Sequence, residues 1–203
     1  ILRGVAYENL SADIPTDGNR TISFEVQDAS GGVSTASTQT LNVNPVADAP
    51  SLTLTAAAGT YIESADAANL DSDKMYLFGG AQVSDPEGDE IGTLVVTLTN
   101  NEAGDVLGFD AEPLNGTGSV NGTWNNGTKE LTLQGVGNQD VATMQAALAK
   151  DYFYTTEEAP NDTNRTITIV ATDAGGTASA GDAFTLTVTA TNDKVELTDP
   201  DGD

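Results

Sequence analysis

The stretch that decides the fold is Asn19-Arg-Thr-Ile-Ser-Phe-Glu-Val-Gln-Asp-Ala-Ser-Gly-Gly32, because the chain contains it twice. The second copy reads Asn164-Arg-Thr-Ile-Thr-Ile-Val-Ala-Thr-Asp-Ala-Gly-Gly-Thr177. Its aspartate stands at position 173 and that of the first copy at position 28, an offset of 145 positions. The match runs without gaps from Pro15 to Asp48 and indicates a tandem repeat.

The repeat predicts how the chain divides into modules. Residues 1–48 are predicted to be the C-terminal part of a first module, 49–193 a complete module, and 194–203 the start of a following one. The stretch Pro45-Val-Ala-Asp-Ala-Pro50 is predicted to be the linker, since each proline holds the residue before it in an extended conformation. Any secretion or anchoring signal is expected to lie outside this stretch of sequence.

Alternating apolar and polar residues predict a chain built mostly of short strands. Residues 21–26 and 38–44 alternate at period two on either side of a glycine-rich turn, which is typical of a hairpin of half-buried strands. Further strands are predicted at 51–55, around 75–83, and at 92–99, 130–133, 152–154, 165–172 and 183–189. Seven or more short strands separated by turns indicate an all-β fold of β-sandwich modules in tandem.

Two local signals interrupt this strand pattern. Residues 139–150 place apolar side chains at helical spacing among good helix formers, so one short helix is predicted there, with Asn138 as its N-cap. The dipeptides Asn121-Gly122 and Asn126-Gly127 predict turns, because Asn-Gly readily adopts positive φ.

The composition excludes several functional classes. Seven basic against 31 acidic residues give a formal charge of −24, which argues against binding to nucleic acid or to an anionic membrane surface. The chain has no Cys and no His, which excludes disulfides, thiolate or imidazole metal sites, and a Ser/Cys–His triad. No apolar run is long enough to span a bilayer, and no pair of carboxylates is singled out for catalysis, so we expect a protein that is not an enzyme.

Acidic residues are predicted to converge where the chain enters the complete module. In a sandwich, the incoming linker, the loop after the second strand and the turn between the last two strands lie at one end. That arrangement brings Asp48 to the 85–89 loop and to Asp173, and Glu63 joins them if the first strand ends or switches sheet near it. The predicted ligands in the loop are Asp85, Glu87 and Asp89. Five or six converging oxygens suit calcium, which takes six to eight oxygen ligands in irregular geometry.

A second acidic group follows the complete module. Its predicted ligands are Asn192, Asp193, Asp199, Asp201 and Asp203, which would serve the next junction. The alternative interpretation of both groups is that Asp and Gly fill β-turns and keep a surface solvated.

The order and spacing of several motifs resemble a known family. These are residues 148–167 with their Asn-Arg-Thr-Ile end, the Thr172-Asp-Ala-Gly-Gly176 turn, the Ala47-Asp-Ala-Pro50 linker, Tyr61-Ile-Glu63, and Val83-Ser-Asp-Pro-Glu-Gly-Asp89. Together they resemble the cadherin-like, immunoglobulin-like repeats of giant bacterial surface adhesins of the RTX type. The resemblance implies an extracellular array of β-sandwiches with calcium at the module junctions. The sequence departs from the usual linker at Ala47-Asp48 and at Lys194, which stands in place of a proline.

These observations favour a calcium-stiffened repeat that extends a cell-surface adhesin in adhesion or biofilm formation. Its partners would be the adjacent modules of the same chain. The first alternative is a module that itself binds a glycan, a protein or an identical chain through residues 100–130, where Trp124 either stacks on a sugar or packs across strands. The second alternative is a filament subunit in which a partner chain completes residues 1–48 by strand addition.

Overall fold

The computed structural model describes residues 4–10, 15–54, 59–64, 74–88, 90–110, 120–157 and 159–192. The chain divides into two compact units, Ile1–Asp48 and Ala49–Asp203. Within the described ranges, no helix is both long enough and apolar enough to cross a membrane.

The first unit is a β-hairpin. Strand β1 (Gly18–Phe24) pairs antiparallel with β2 (Ser37–Val43), and Arg20 lies opposite Leu41. Every second residue of β1 is half-buried and the residues between are exposed, as the alternating sequence predicts. Both predicted strands of this hairpin are confirmed.

The described part of the second unit contains eleven strands and one helix. They are β3 (Ser51–Thr53), β4 (Gly59–Ile62), β5 (Met75–Tyr76), β6 (Gln82–Ser84), β7 (Ile91–Thr99), β8 (Asp105–Phe109), β9 (Val120–Asn125), β10 (Glu130–Gln139), α1 (Val141–Leu148), β11 (Asp151–Thr155), β12 (Arg165–Asp173) and β13 (Asp182–Thr189). Six strands form one sheet in the order β4-β13-β12-β7-β10-β9, three form a second in the order β5-β11-β8, and β3 pairs with β6.

The two larger sheets pack face to face around one core. Leu94 and Ile167 of the six-stranded sheet and Leu107 and Phe153 of the three-stranded sheet are fully buried in the same cluster. The ring of Tyr61 meets the ring of Phe153 edge-on, with centroids 5.0 Å apart. Burial of each such side chain contributes about 1.5–3 kcal/mol. The unit is a β-sandwich, and the predicted all-β fold with one short helix is confirmed for the described residues.

The repeat found in the sequence is also a repeat in conformation. The N–H of Asp28 donates to the carbonyl of Gly32 at 2.9 Å, and the N–H of Asp173 donates to that of Thr177 at 3.0 Å. Both turns contain a glycine with positive φ, 88° at position 31 and 92° at position 176. Since residues 145 positions apart make the same bonds, β1–β2 and β12–β13 are the same structural element.

The helix is shorter than predicted and has a different cap. Asp140 is the N-cap, because its Oδ1 accepts a hydrogen bond from the N–H of Thr143 at 2.6 Å. The predicted cap, Asn138, belongs instead to β10, which continues to Gln139. The inward face is as expected, since Met144 and Leu148 are fully buried.

Two further local predictions were wrong. The single strand predicted around residues 75–83 is two short strands in different sheets, β5 and β6, separated by a turn in which Ala81 donates its N–H to the carbonyl of Phe78 at 3.1 Å. Asn121 and Gly122 lie inside β9 and not in a turn. A Cβ at Gly122 would lie 2.6 Å from the Cβ of Phe109, so the glycine is explained by close packing and not by turn geometry.

This packing leads to a test of the sandwich edge. Gly122→Ala is expected to destabilise the second unit by about 1–3 kcal/mol, because the new methyl group overlaps Phe109 near its backbone. Gly79→Ala is the matched control, since a Cβ there meets nothing within 4 Å. Urea denaturation followed by the fluorescence of Trp124, the single tryptophan, measures both variants. Equal stability of the two variants would contradict the close approach.

Candidate functional site

Three segments meet at one end of the second unit, which we call the entry end. Ser51 at the start of β3 lies opposite Ser84 at the end of β6, so the beginning of the unit lies beside the loop that connects β6 to β7. Asp173 at the end of β12 lies opposite Ile91 at the start of β7. The N–H of Ala174 also donates to the carbonyl of Glu90 at 2.8 Å. The topology expected from the sequence therefore brings the 85–90 loop and the 173–176 turn together.

The loop at the entry end is held by its own aspartate. The Oδ1 of Asp85 accepts a hydrogen bond from the N–H of Glu87 at 3.0 Å, and the carbonyl of Asp85 accepts one from the N–H of Gly88 at 3.1 Å. Gly88 adopts a φ of +68°, which a side chain would disfavour. Both acidic side chains are half-buried, and Oδ2 of Asp85 and Oε1 of Glu87 are removed from solvent. This geometry places two carboxylates in a shielded loop.

Asp173 has one carboxylate oxygen engaged and one available. Its side chain is only 3% exposed, and its Oδ1 accepts a hydrogen bond from the N–H of Thr177 at 2.8 Å. Its Oδ2 is buried and accepts no hydrogen bond within the described part of the chain. A buried anionic oxygen without a donor is costly unless a cation or another donor approaches it. The donor chemistry of this atom therefore fits a hard cation such as calcium.

The described residues do not by themselves form a complete metal site. Across the described ranges, no three acidic residues lie close enough together to hold one metal ion. Asp85, Glu87 and Asp173 are at the entry end, whereas Asp48 ends the first unit. Of the other predicted ligands, Asp89, Asp193, Asp199, Asp201 and Asp203 lie outside the described residues.

Glu63 lies at the opposite end of the sandwich, so its expected approach to Asp173 was wrong. The physical reason is that β4 pairs parallel with β13 and therefore runs toward the end where the last strand leaves the unit. There the Oε2 of Glu63 accepts a hydrogen bond from the N–H of Thr191 at 2.8 Å, one residue before Asn192. Glu63 is 6% exposed, and its hydrogen bond to Thr191 holds the chain in place where it leaves the sandwich.

A buried ion pair between the two sheets was not predicted. The Nε of Arg165 on β12 donates to the Oδ2 of Asp105 on β8 at 2.7 Å, and both side chains are 0% exposed. The other guanidinium nitrogens donate to Asp105 Oδ1 at 3.4 Å and to the carbonyl oxygens of Asn161 and Thr163. The sequence feature that could have revealed this ion pair is the arginine, which occupies an inward position of the alternating strand in both copies of the repeat.

Asp151 is a second buried carboxyl that the sequence did not reveal. It is the first residue of β11, is 0% exposed, and neither of its carboxyl oxygens has a hydrogen-bond partner within the described ranges. Burial raises the pKa of Asp151 well above the ordinary value of 3.8. It shares the inward face of β11 with Phe153, where the alternating pattern leads one to expect an apolar residue.

Trp124 packs in the manner of a structural residue. It lies opposite Leu131 across β9 and β10, and it packs against the buried core. The Nζ of Lys129 lies 5.8 Å from the centre of its ring. Of the two roles open for Trp124, the contacts support cross-strand packing.

Comparisons with known proteins give one similar solved structure, and the chain matches no protein-family model and no curated protein sequence. The similar structure is that of the fibronectin(III)-like modules of Clostridium thermocellum CbhA, at 13% sequence identity and a TM-score of 0.36. The match covers 86% of this chain and 64% of that chain, which is less than two thirds of its length.

Proposed function

We propose that this chain is a stretch of an extracellular tandem array in which β-sandwich modules, stiffened by calcium, extend a cell-surface adhesin. The observation that carries the proposal is the Oδ2 of Asp173, which is buried at the entry end without a hydrogen-bond donor in the described ranges. The conformation of the turn is repeated around Asp28, so the same structural element occurs in both units. A repeated acidic turn is expected if each module carries an equivalent site.

The charge of the chain supports a cation as the ligand. A formal charge of −24 destabilises a compact state by self-repulsion, and bound divalent cations reduce that repulsion. Calcium would be held first by Asp173, and the carboxylates of Asp85 and Glu87 in the adjoining loop would approach the ion when it binds, since the described structure does not bring the three together. Asp48 and Asp89 are the further ligands expected from the sequence.

Bound calcium would act on the module mechanically. The ion would connect the loop after β6 to the turn after β12, two segments that the described contacts join at the start of β7. Connecting them, and the linker with them, would restrict the bending of successive modules. A rod of such modules can hold a distal binding region away from a cell surface, which is a structural and not a catalytic role.

The test is the change in stability with calcium. Extracellular calcium modules bind with dissociation constants of about 10⁻⁴–10⁻³ M. At about one hundredfold excess over that constant, the free energy of unfolding of the second unit should rise by about 2.7 kcal/mol. Urea denaturation of the full chain, followed by Trp124 fluorescence with calcium and then with chelator, measures this rise.

Two variants identify the site. Asp173→Asn should abolish most of the calcium-dependent rise while Asp110→Asn, a change at a carboxylate that is paired with Lys74 and belongs to neither the 85–90 loop nor the 173–176 turn, should leave it unchanged. Small-angle scattering of the full chain should show an extended particle with calcium and a more flexible one with chelator. A stability curve that does not respond to calcium, or the same response in Asp173→Asn, would refute the proposal.

A further inference from the structure

We propose that the outer face of the six-stranded sheet is a surface through which two copies of this chain associate face to face. The outer face consists of the residues of β4, β13, β12, β7, β10 and β9 whose side chains point away from the core. The inference goes beyond the proposed function and does not depend on calcium. It rests on the charge, the chemistry and the register of the residues on this face.

The outer face carries almost no charge. The outward residues of β12 are Thr166, Thr168, Val170 and Thr172, which alternate with buried inward residues. The outward residues of β13, and those of β7 from position 93 onward, are likewise only threonine, valine or alanine. Among the described strands of this sheet, Glu130 is the one charged residue that points outward. The chain has 31 acidic residues, so this face is a neutral area on a strongly anionic molecule.

The neutrality of the face favours a contact between copies of this chain. Depletion of charged residues distinguishes the centre of a protein–protein interface from the rest of a protein surface. Two molecules that each carry a formal charge of −24 repel each other, and bringing like charges into contact is costly. A second copy can therefore approach most closely where both surfaces are neutral, which is at the outer face.

The chemistry of the outer face makes it complementary to itself. A threonine hydroxyl is both a hydrogen-bond donor and an acceptor. Within the described ranges, the hydroxyl groups of Thr97, Thr168 and Thr185 make no hydrogen bond to the rest of the chain. Facing threonines could supply these bonds while their methyl groups pack, and the restricted χ1 of threonine limits the entropy lost on contact. Such a face fits a second copy of itself, as a two-fold interface requires.

The register of the strands sets the size of the contact. Thr168 lies opposite Thr97, and Val170 lies opposite Val95, so the outward side chains stand in rows across the strands. Spacings of about 4.8 Å between strands and about 3.3 Å per residue give a face of roughly 25 Å by 20 Å, or on the order of 1,000 Å² buried over both copies. Sheets of this kind pack about 10 Å apart. An interface of this area is typical of a weak, transient association.

Sedimentation velocity of the full chain tests this inference. Chelator is present throughout, because a divalent cation could itself bridge two acidic surfaces. The sedimentation coefficient should rise as the protein concentration increases from about 10 μM to about 1 mM, the range expected of a weak contact. Raising the salt concentration from about 0.01 M to about 1 M should strengthen the association, because salt screens the repulsion between the copies.

Single charges placed on the outer face identify the surface that is used. Thr168→Glu should weaken association by at least about tenfold, because each new carboxylate would lose its water against the facing neutral sheet. Thr53→Glu, the same substitution at an exposed threonine of β3, is the matched control and should leave association unchanged. Thr97→Glu and Thr185→Glu repeat the test on the neighbouring strands, and a cooperative urea transition identifies the variants that fold.

Three results would overturn the inference. They are a chain that stays monomeric over this concentration range, an association that weakens as salt is added, and equal association of the Thr53→Glu variant and the folded outer-face variants. A chain that associates in chelator but gains no stability from calcium keeps this inference and loses the calcium-dependent function.

Discussion

Asp105→Ala is expected to lower the free energy of unfolding of the second unit by about 3–5 kcal/mol. Arg165 is 0% exposed, so loss of the carboxylate leaves a guanidinium charge in the core without its counter-ion. Asp105 Oδ2 also accepts the N–H of Glu102 at 2.7 Å, and that bond is lost with the side chain. The variant therefore removes the link between the two sheets and one loop contact.

The effect is best measured against a surface pair and a double variant. Lys74 Nζ and Asp110 Oδ1 form an ion pair at 3.0 Å, but their side chains are 21% and 29% exposed. Asp110→Asn should therefore cost less than about 1 kcal/mol. The double variant Asp105→Leu with Arg165→Met should recover part of the loss, because it removes both charges.

Urea denaturation followed by Trp124 fluorescence reports on the second unit alone, since the chain has a single tryptophan. If Asp105→Ala and Asp110→Asn cost the same free energy, the buried pair does not have the role assigned to it.

Asp151→Asn is expected to make the second unit more stable than the wild type at neutral pH. The carboxyl of Asp151 is fully buried, and burial raises its pKa well above 3.8. Below 3.8 the group is protonated in both folded and unfolded chains, so it contributes no pH dependence. Above 3.8 the unfolded chain loses the proton while the folded chain keeps it, and stability falls as pH rises toward the folded pKa. The asparagine carries no such proton.

The measurement is the difference in unfolding free energy between the variant and the wild type across pH 4–8. This difference should grow by at most about 1.4 kcal/mol per pH unit above 3.8 and then level off at the folded pKa. Taking the difference removes the pH dependence that the other carboxylates contribute, because they contribute it equally in the variant and the wild type. Asp140→Asn is the control, since a hydrogen bond from Thr143 lowers the pKa of that exposed cap and reverses the sign. A difference that does not change with pH would show that Asp151 ionises as freely in the folded chain as in the unfolded one.

The strands of the repeated stretch were predicted correctly from the sequence. Alternation at period two predicted β1, β2, β12 and β13 because each buries one face, and a period of two is the local signature of that burial. The wrong helix cap, Asn138 in place of Asp140, has a local cause, since either residue type can accept an N–H bond and only the end of β10 decides between them. Gly122 was wrongly predicted to lie in a turn, because the sequence does not distinguish a glycine needed for close packing against a ring from one needed for a turn.

For the candidate site, too, some predictions agree with the structure and others do not. The order of strands in a sandwich was sufficient to predict that the 85–90 loop and Asp173 meet, and the structure places them together. Glu63 was predicted at the wrong end of the sandwich. The parallel pairing of β4 with β13 joins strands far apart in the chain and has no local signal in the sequence. The pairing of Arg165 with Asp105 was missed for the same reason.

The sequence by itself determined the all-β class, the repeat of 145 positions and the acidic turns, because local patterns and the identity between two copies carry this information. Only the tertiary structure decided which buried charges are balanced. Asp105 has Arg165 as its counter-ion, Asp173 keeps one oxygen without a donor in the described ranges, and Asp151 keeps two. The physical reason is that the free energy of a carboxylate depends on the atoms that surround it after folding, and those atoms come from distant parts of the chain.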